Sequence, residues 1–220
     1  MKKLLIVMIL STLLIGCGKH IIKHNIPEAN IKFNERYIIA VETFKDMRPE
    51  EECTGKTDEF LKFASKDKHF KKVITQHLKD TFIEEFSKVG LLPCNYEDND
   101  KSCYDYILSG KVIHYQAALK LPKTTVIPYL KTITSLWTKD EFIIAIEIDV
   151  KLTQAKTGKI LLDKTYTFAE DKKLPTGLFS LARYSRGFNY KLKLLDEALG
   201  NVIEEIRNDV LEKIKDAKDK

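Results

Sequence analysis

Phe142-Ile143-Ile144-Ala145-Ile146-Glu147-Ile148-Asp149-Val150-Lys151-Leu152-Thr153 decides the fold. Ile144, Ile146, Ile148, Val150 and Leu152 alternate with Glu147, Asp149, Lys151 and Thr153. Side chains along a strand point to opposite faces at a period of two, so this stretch predicts a strand with one face buried and one wet. That pattern belongs to an antiparallel sheet, since parallel strands buried on both faces read as unbroken apolar runs. Lys156-Thr157-Gly158-Lys159 follows as a hairpin turn in which Gly158 is free to take a positive φ, and Ile160 to Phe168 returns as the next strand.

Upstream, Tyr104 to Tyr115 predicts a further strand with Tyr106, Leu108, Gly110 and Val112 on one face. Tyr37-Ile38-Ile39-Ala40-Val41-Glu42-Thr43-Phe44 predicts a buried one. Between them lies a helical stripe: Phe70, Val73, Ile74, His77, Leu78, Thr81, Phe82, Phe86 and Val89 recur three and four apart. Gly90 stops this helix, and Pro93 lies just beyond. A closing helix carries Leu192, Leu195, Leu199, Val202, Ile203, Ile206, Val210 and Ile214. The order β-α-β-β-β-α implies an α+β fold: a two-layer sandwich of a four-stranded mixed sheet with both helices on one face. The expected division is a signal peptide over 1–16, a tether over 17–36 and a single domain over 37–216.

If the first two strands are parallel, the connections Lys45–Lys66, Ala118–Asp140 and Glu170–Asn189 all leave from one end. The tether, the Cys94–Cys103 loop and the Gly158 turn then lie at the other. All three connections exceed the usual 4–6 residues, and long loops in compact domains are often functional. The second carries Val126, Ile127, Tyr129, Leu130 and Trp137, the only tryptophan; the third carries Leu178, Phe179, Tyr184 and Phe188 with Arg183 and Arg186. Aromatic and Arg residues on apolar loops are what binding hot spots use. Tyr129, Trp137, Phe179, Arg183 and Arg186 are therefore the candidate partner contacts. The same loops could instead close over the open end of the sheet and complete the core.

Catalytic spacings are missing. No Gly-rich phosphate loop, Gly-x-Ser-x-Gly or His-Glu-x-x-His occurs. His20 and His24 are four apart but sit in the expected tether without a third ligand, so no metal site is expected. His77 reads as a hydrogen-bonded core histidine, and His114 stands on a strand without a catalytic frame. Glu84-Glu85 and Glu204-Glu205 read as solvated helix faces, and Asp46 with Arg48 as a local ion pair fixing a loop. No cofactor and no enzymatic activity are expected.

At the start of the chain, Lys2 and Lys3 precede the apolar run Leu4 to Leu10, which continues to Leu14-Ile15-Gly16-Cys17. A charged start, a short apolar segment and a small residue before the cut make a secretory signal. The apolar segment is short of the ~20 residues that a permanent membrane helix needs. Leu14-Ile15-Gly16-Cys17 resembles the lipobox of bacterial lipoproteins. That resemblance implies cleavage before Cys17 and acylation of Cys17 with diacylglyceryl and an amide-linked chain such as palmitate. Gly18, in place of an Asp, resembles sorting to the outer membrane. Losing Lys2 and Lys3 takes the formal charge from +5 to +3, interspersed along the chain, so no nucleic-acid footprint exists. Export permits a disulfide between Cys94 and Cys103, although both could stay reduced, and Cys53 is left over.

Three phrases resemble those of small bacterial envelope lipoproteins: Val41-Glu42-Thr43-Phe44-Lys45-Asp46-Met47-Arg48-Pro49, Tyr104-Asp105-Tyr106-Ile107-Leu108-Ser109-Gly110-Lys111-Val112, and Thr157-Gly158-Lys159-Ile160-Leu161. With the lipobox and the element order, the chain resembles the lipopolysaccharide-assembly lipoproteins and the auxiliary lipoproteins of ABC-type transporters. The resemblance implies a lipid-anchored, periplasm-facing accessory protein of envelope biogenesis or transport, acting by binding a membrane protein partner or a lipidic substrate. The alternative is a lipid- or small-ligand-binding module with a cavity under the long apolar loops.

Overall fold

The computed structural model describes residues 19–54, 61–63, 65–96, 103–120, 140–174 and 180–218. In chain order the elements are β1 (Ile38–Val41), β2 (Lys45–Asp46), α1 (Glu50–Thr54), β3 (Leu61–Phe63), a 3-10 turn (Asp67–His69) and α2 (Ile74–Lys88). They continue with β4 (Leu92–Asn95), β5 (Tyr106–Lys120), β6 (Asp140–Gln154), β7 (Ile160–Leu174) and α3 (Ser180–Lys218). The fold is α+β with one mixed sheet, and the expected order survives as β1-α2-β5-β6-β7-α3.

The sheet is larger than the four strands expected. Its path is β4-β1-β5-β6-β7, with β2 and β3 also pairing on β5, so seven strand segments are present among the described residues. Strand β5 is the spine. Along one edge it takes β1 in parallel at Ile39↔Tyr106, β2 in parallel at Lys45↔Lys111 and β3 antiparallel at Phe63↔Ala118. Along its other edge β6 pairs from Tyr106↔Gln154 to Lys120↔Glu141, and β7 pairs antiparallel with β6. The antiparallel meander and the parallel first pair were both expected. The connection Lys45–Lys66, expected as a long loop, contributes β2, α1 and β3, all beside β5.

Both outer ends of the meander were underestimated. Strand β5 runs on to Lys120 and β7 to Leu174, so much of the expected loop Glu170–Asn189 is strand or helix. In β5 the reason is a β-bulge between Val112 and His114. An inserted residue shifts the inward parity: Tyr106, Leu108 and Val112 are buried before it, Tyr115 and Ala117 after it. The break in alternation hides the continuation of the strand.

Helix α2 begins at Ile74, not at Phe70; Val73 is the N-cap and is exposed, while Phe70 forms a β-bridge with His20. Its end is as expected. Gly90 has φ +90°, the Leu91 N–H donates to Phe86 O and the Gly90 N–H to Ser87 O, which together satisfy two terminal carbonyls. Gly158 likewise adopts φ +70° in the β6–β7 turn. Helices α2 and α3 pack on the same sheet face: Leu78, Phe82 and Phe86 share one core with Ile144, Ile146, Ile148, Val150, Leu195, Leu199 and Ile206. Burying each such side chain contributes roughly 1.5–3 kcal/mol.

Candidate functional site: a strap between two helices

The stretch read from the sequence as a tether is packed against the body over residues 19–36. Ile22 is in the core, and Ile26, Ala29, Ile31 and Phe33 pack against it. The segment lies in the groove between α2 and α3 and touches both in register. His20 meets Asp196, His24 lies against Gly200, Pro27 meets Arg207 and Glu35 meets Lys218 on α3. On the other side His20 meets Phe70, His24 meets His77 and Phe33 meets Val89. A free chain would not march along two helices in step; this is a strap.

Besides the exposed Glu35–Lys218 pair, four fastenings among the described residues hold it. At the first, His20 Nε2 lies 3.0 and 3.2 Å from the Asp196 carboxylate, which also accepts the Lys23 N–H at 3.0 Å. There the backbone also pairs, with His20 N–H donating to His69 O and Lys71 N–H to His20 O. Burial raises the Asp196 carboxyl above the usual carboxylate range, while Lys23 N–H and His20 pull the other way. At the second, His77 Nε2 faces His24 Nδ1 at 3.4 Å. Burial pushes the His77 imidazole down to about 4, and His24 is also lowered by burial. Two neutral rings fit here, and a proton on either would be buried beside the other.

The third fastening is a buried ion pair. Arg207 Nη1 donates to Glu85 Oε2 at 2.6 Å and to the Pro27 carbonyl at 2.7 Å. Arg207 is 2% exposed and Glu85 4%. Glu85 was expected on a solvated helix face; the structure corrects this, because Glu85 turns inward to meet a guanidinium 122 positions away. The fourth is Phe33, whose N–H donates to Val89 O at 2.8 Å and whose carbonyl sits where a Cβ on Gly90 would fall.

The strap also sets where its His20 end lies. His20, Asp196, Phe70 and Tyr115 cluster beside the far half of β5, toward the end where β5 and β7 finish and α3 starts. The stretch 17–36 was expected at the end opposite the long connections; its described His20 end lies instead toward them. The Glu35 end of the strap, held by Lys218, is the one beside the start of β1.

A second polar cluster stitches α1 to the bulged part of β5. Glu52 is 3% exposed; its Oε1 meets His114 Nδ1 and its Oε2 accepts the Tyr115 N–H at 3.1 Å. This partner of His114 was not expected from sequence. Asp46 and Arg48 form the expected ion pair, with Arg48 Nε donating to Asp46 Oδ1 at 2.9 Å, and Nη2 reaching Asp67 as well at 2.9 Å. The ligand atoms of Asp46, Cys53 and Asp67 lie within 4.8 Å of one another, but Arg48 places its positive charge between the two carboxylates where a cation would sit.

Of the expected partner contacts, Tyr129, Trp137 and Phe179 lie outside the described residues, as does Cys17. Arg183 and Arg186 fall in the first turns of α3, not in a loop. Cys94 lies on β4 with its thiol 3.8 Å from Ile39 O, and Cys103 is exposed. Among the described residues no helix is long and apolar enough to cross a membrane.

No protein-family model matches the chain, and no curated protein matches it. Among solved structures it is similar to protein XCC0632 of Xanthomonas campestris, described under the family model DUF330. That match has a TM-score of 0.60 at 11% identity and covers 92% of this chain and 99% of that one. Lipoprotein GNA1162 of Neisseria meningitidis matches with a TM-score of 0.35 at 11% identity, over 72% and 99% of the two chains. A minor lipoprotein of Acinetobacter baumannii matches with 0.32 at 12%, over 67% and 89%. The first likeness establishes the overall fold; the other two scores are too low to carry an argument. None of the three descriptions names the lipopolysaccharide-assembly or transporter-auxiliary families that the local phrases resemble.

Proposed function

We propose that this chain is a lipid-anchored accessory protein of the bacterial envelope, facing the periplasm, that works by binding and not by catalysis. The observation that carries the reading is the lipobox cysteine at position 17, three residues ahead of a strap that begins at His20. Three residues span at most roughly 11 Å. A lipid on Cys17 would hold the body close to the bilayer by the end from which the long connections leave, instead of at the end of a tether some 60 Å long. Two or more acyl chains make such attachment stable, at about 0.8 kcal/mol per buried methylene. Gly18 favours the outer membrane.

In this reading the residues around Tyr129, Trp137, Phe179, Arg183 and Arg186 face a membrane protein of the same envelope machinery, as the resemblance to assembly and transport lipoproteins implies. The test is photo-crosslinking in native membranes from positions 129, 137 and 179. One envelope protein captured at all three is the expected result. Retained binding of that partner by a folded Trp137→Ser/Phe179→Ser variant would remove these residues from the site.

A further inference from the structure

Gly200 lies in the interior of α3, where glycine is the poorest helix former after proline. Its place has a packing reason: a Cβ there would stand 3.1 Å from the His24 Cβ. The missing side chain lets the strap sink onto α3 at His24, and the His24 ring then meets His77 on α2. His20 and His24, four apart in sequence, thus part company. His20 goes to Asp196, and His24 pairs with a histidine 53 positions away.

The geometry of this second pair is poor for a hydrogen bond and right for a metal. The facing nitrogens, His24 Nδ1 and His77 Nε2, are 3.4 Å apart, and the ring centres are 5.1 Å apart. N–H donors commonly lie about 2.7–3.2 Å from their acceptors, and a head-on bond at 3.4 Å would set the ring centres about 5.7 Å apart. Two imidazoles on one tetrahedral zinc, about 2.0–2.1 Å from each nitrogen, have nitrogens about 3.3–3.4 Å and ring centres about 5.2 Å apart. Both separations match the second arrangement. Burial favours the neutral form of both rings, so each can offer a lone pair to a cation. On α2, Thr81 Oγ1 lies 3.5 Å from His77 Nε2, and Glu84 follows on the same helix face, seven positions after His77. Among the described residues no carboxylate or thiol already completes a three-ligand set with these histidines. The remaining corners fall to water, which Thr81 can hold, or to Glu84 swung from its exposed pair with Lys88.

We infer that His24 and His77 clamp a divalent transition cation of the zinc type, which staples the strap to α2. Imidazole nitrogen suits zinc, copper and nickel, whereas magnesium and calcium take oxygen. The clamp needs no lipid on Cys17, so it stands or falls separately from the anchoring. Its effect is mechanical: a cation that binds only the docked strap lowers the population of the open strap in proportion to its concentration over Kd.

The test titrates zinc chloride calorimetrically into the full chain, purified in detergent and stripped of metal with a chelator. Binding by the wild type that is about a hundredfold weaker in His24→Gln and in His77→Gln is expected, since even an outer-shell partner of a metal ligand is worth about 10–100-fold. At zinc near 100 times Kd, trypsin cleavage after Lys23 should slow by on the order of a hundredfold in the wild type and hardly at all in His77→Gln. Cobalt(II) gives a readout that needs no variant: the strong visible bands of a tetrahedral ion, without thiolate charge transfer in the near ultraviolet, are expected. Zinc held equally by both variants, strap cleavage indifferent to zinc, a thiolate band, or the pale spectrum of octahedral cobalt would each overturn the clamp.

Discussion

Arg207 and Glu85 show why a buried charge is costlier alone than paired. Either partner removed singly strands the other out of water, which costs about 3–5 kcal/mol, whereas replacing both by apolar residues of similar size is close to neutral. Arg207→Met should therefore lower the unfolding free energy by about 3–5 kcal/mol, and Arg207→Met/Glu85→Leu should recover most of it. Urea titration of the two variants measures both. A double variant as unstable as the single would mean that Arg207 works chiefly through the Pro27 carbonyl. The histidines give the residue-scale pH response. His77 titrates at about 4 and His24 below its ordinary value, so between there and pH 6.5 the unfolded chain binds more protons than the folded one. By linkage the stability they confer is complete above about pH 6.5 and is lost as pH falls toward the folded values. Glu84 and Glu85 soften this at His24, and Asp80 does so at His77, while Lys72 and Lys88 sharpen it. The urea midpoint should fall between pH 7 and pH 5, and His77→Leu should flatten that fall.

The strap and its fastenings set behaviour at the scale of elements. Asp196→Ala leaves the His20 ring and the Lys23 N–H without their acceptor, a loss of about 1–3 kcal/mol. The expected sign is early trypsin cleavage after Lys19 and Lys23 while the sheet stays protected; unchanged cleavage would show that the His20 backbone pairing to His69 and Lys71 suffices. Gly90→Ala acts at the other end. It forces a Cβ onto a residue at φ +90° and places it 2.5 Å from Phe33 O, so the helix stop and the strap must both give way. A loss of about 2 kcal/mol or more is expected from thermal or urea unfolding. The elements missed in the sequence were missed for local reasons. Leu92-Pro93-Cys94-Asn95 is short, contains a proline and has no alternation, and becomes strand β4 only by pairing with β1. The strap does carry apolar residues at Ile22, Ile26, Ile31 and Phe33, but its partners Asp196 and Arg207 lie more than 170 positions away. Nothing in a local window reports such pairs.

Over the whole molecule, what repeats with a fixed period was legible and what closes across long separations was not. The alternation in β6, the turn at Gly158, the stripe of α3 and that of α2 from Ile74 onward stand where their residues placed them. Of the proposed site the sequence offers chemistry alone: Cys17, the aromatics Tyr129, Trp137 and Phe179, and Arg183 and Arg186. Its geometry depended on the strap, whose His20 end lies toward the finish of β5 and β7. An intact-mass measurement of the protein extracted from its own membranes tests this account most directly. The account predicts a chain lacking residues 1–16 and carrying acyl groups on Cys17, and a Cys17→Ser variant that is neither acylated nor retained on the membrane. A chain cut elsewhere, or one that holds to the membrane with Cys17 unmodified, would contradict it.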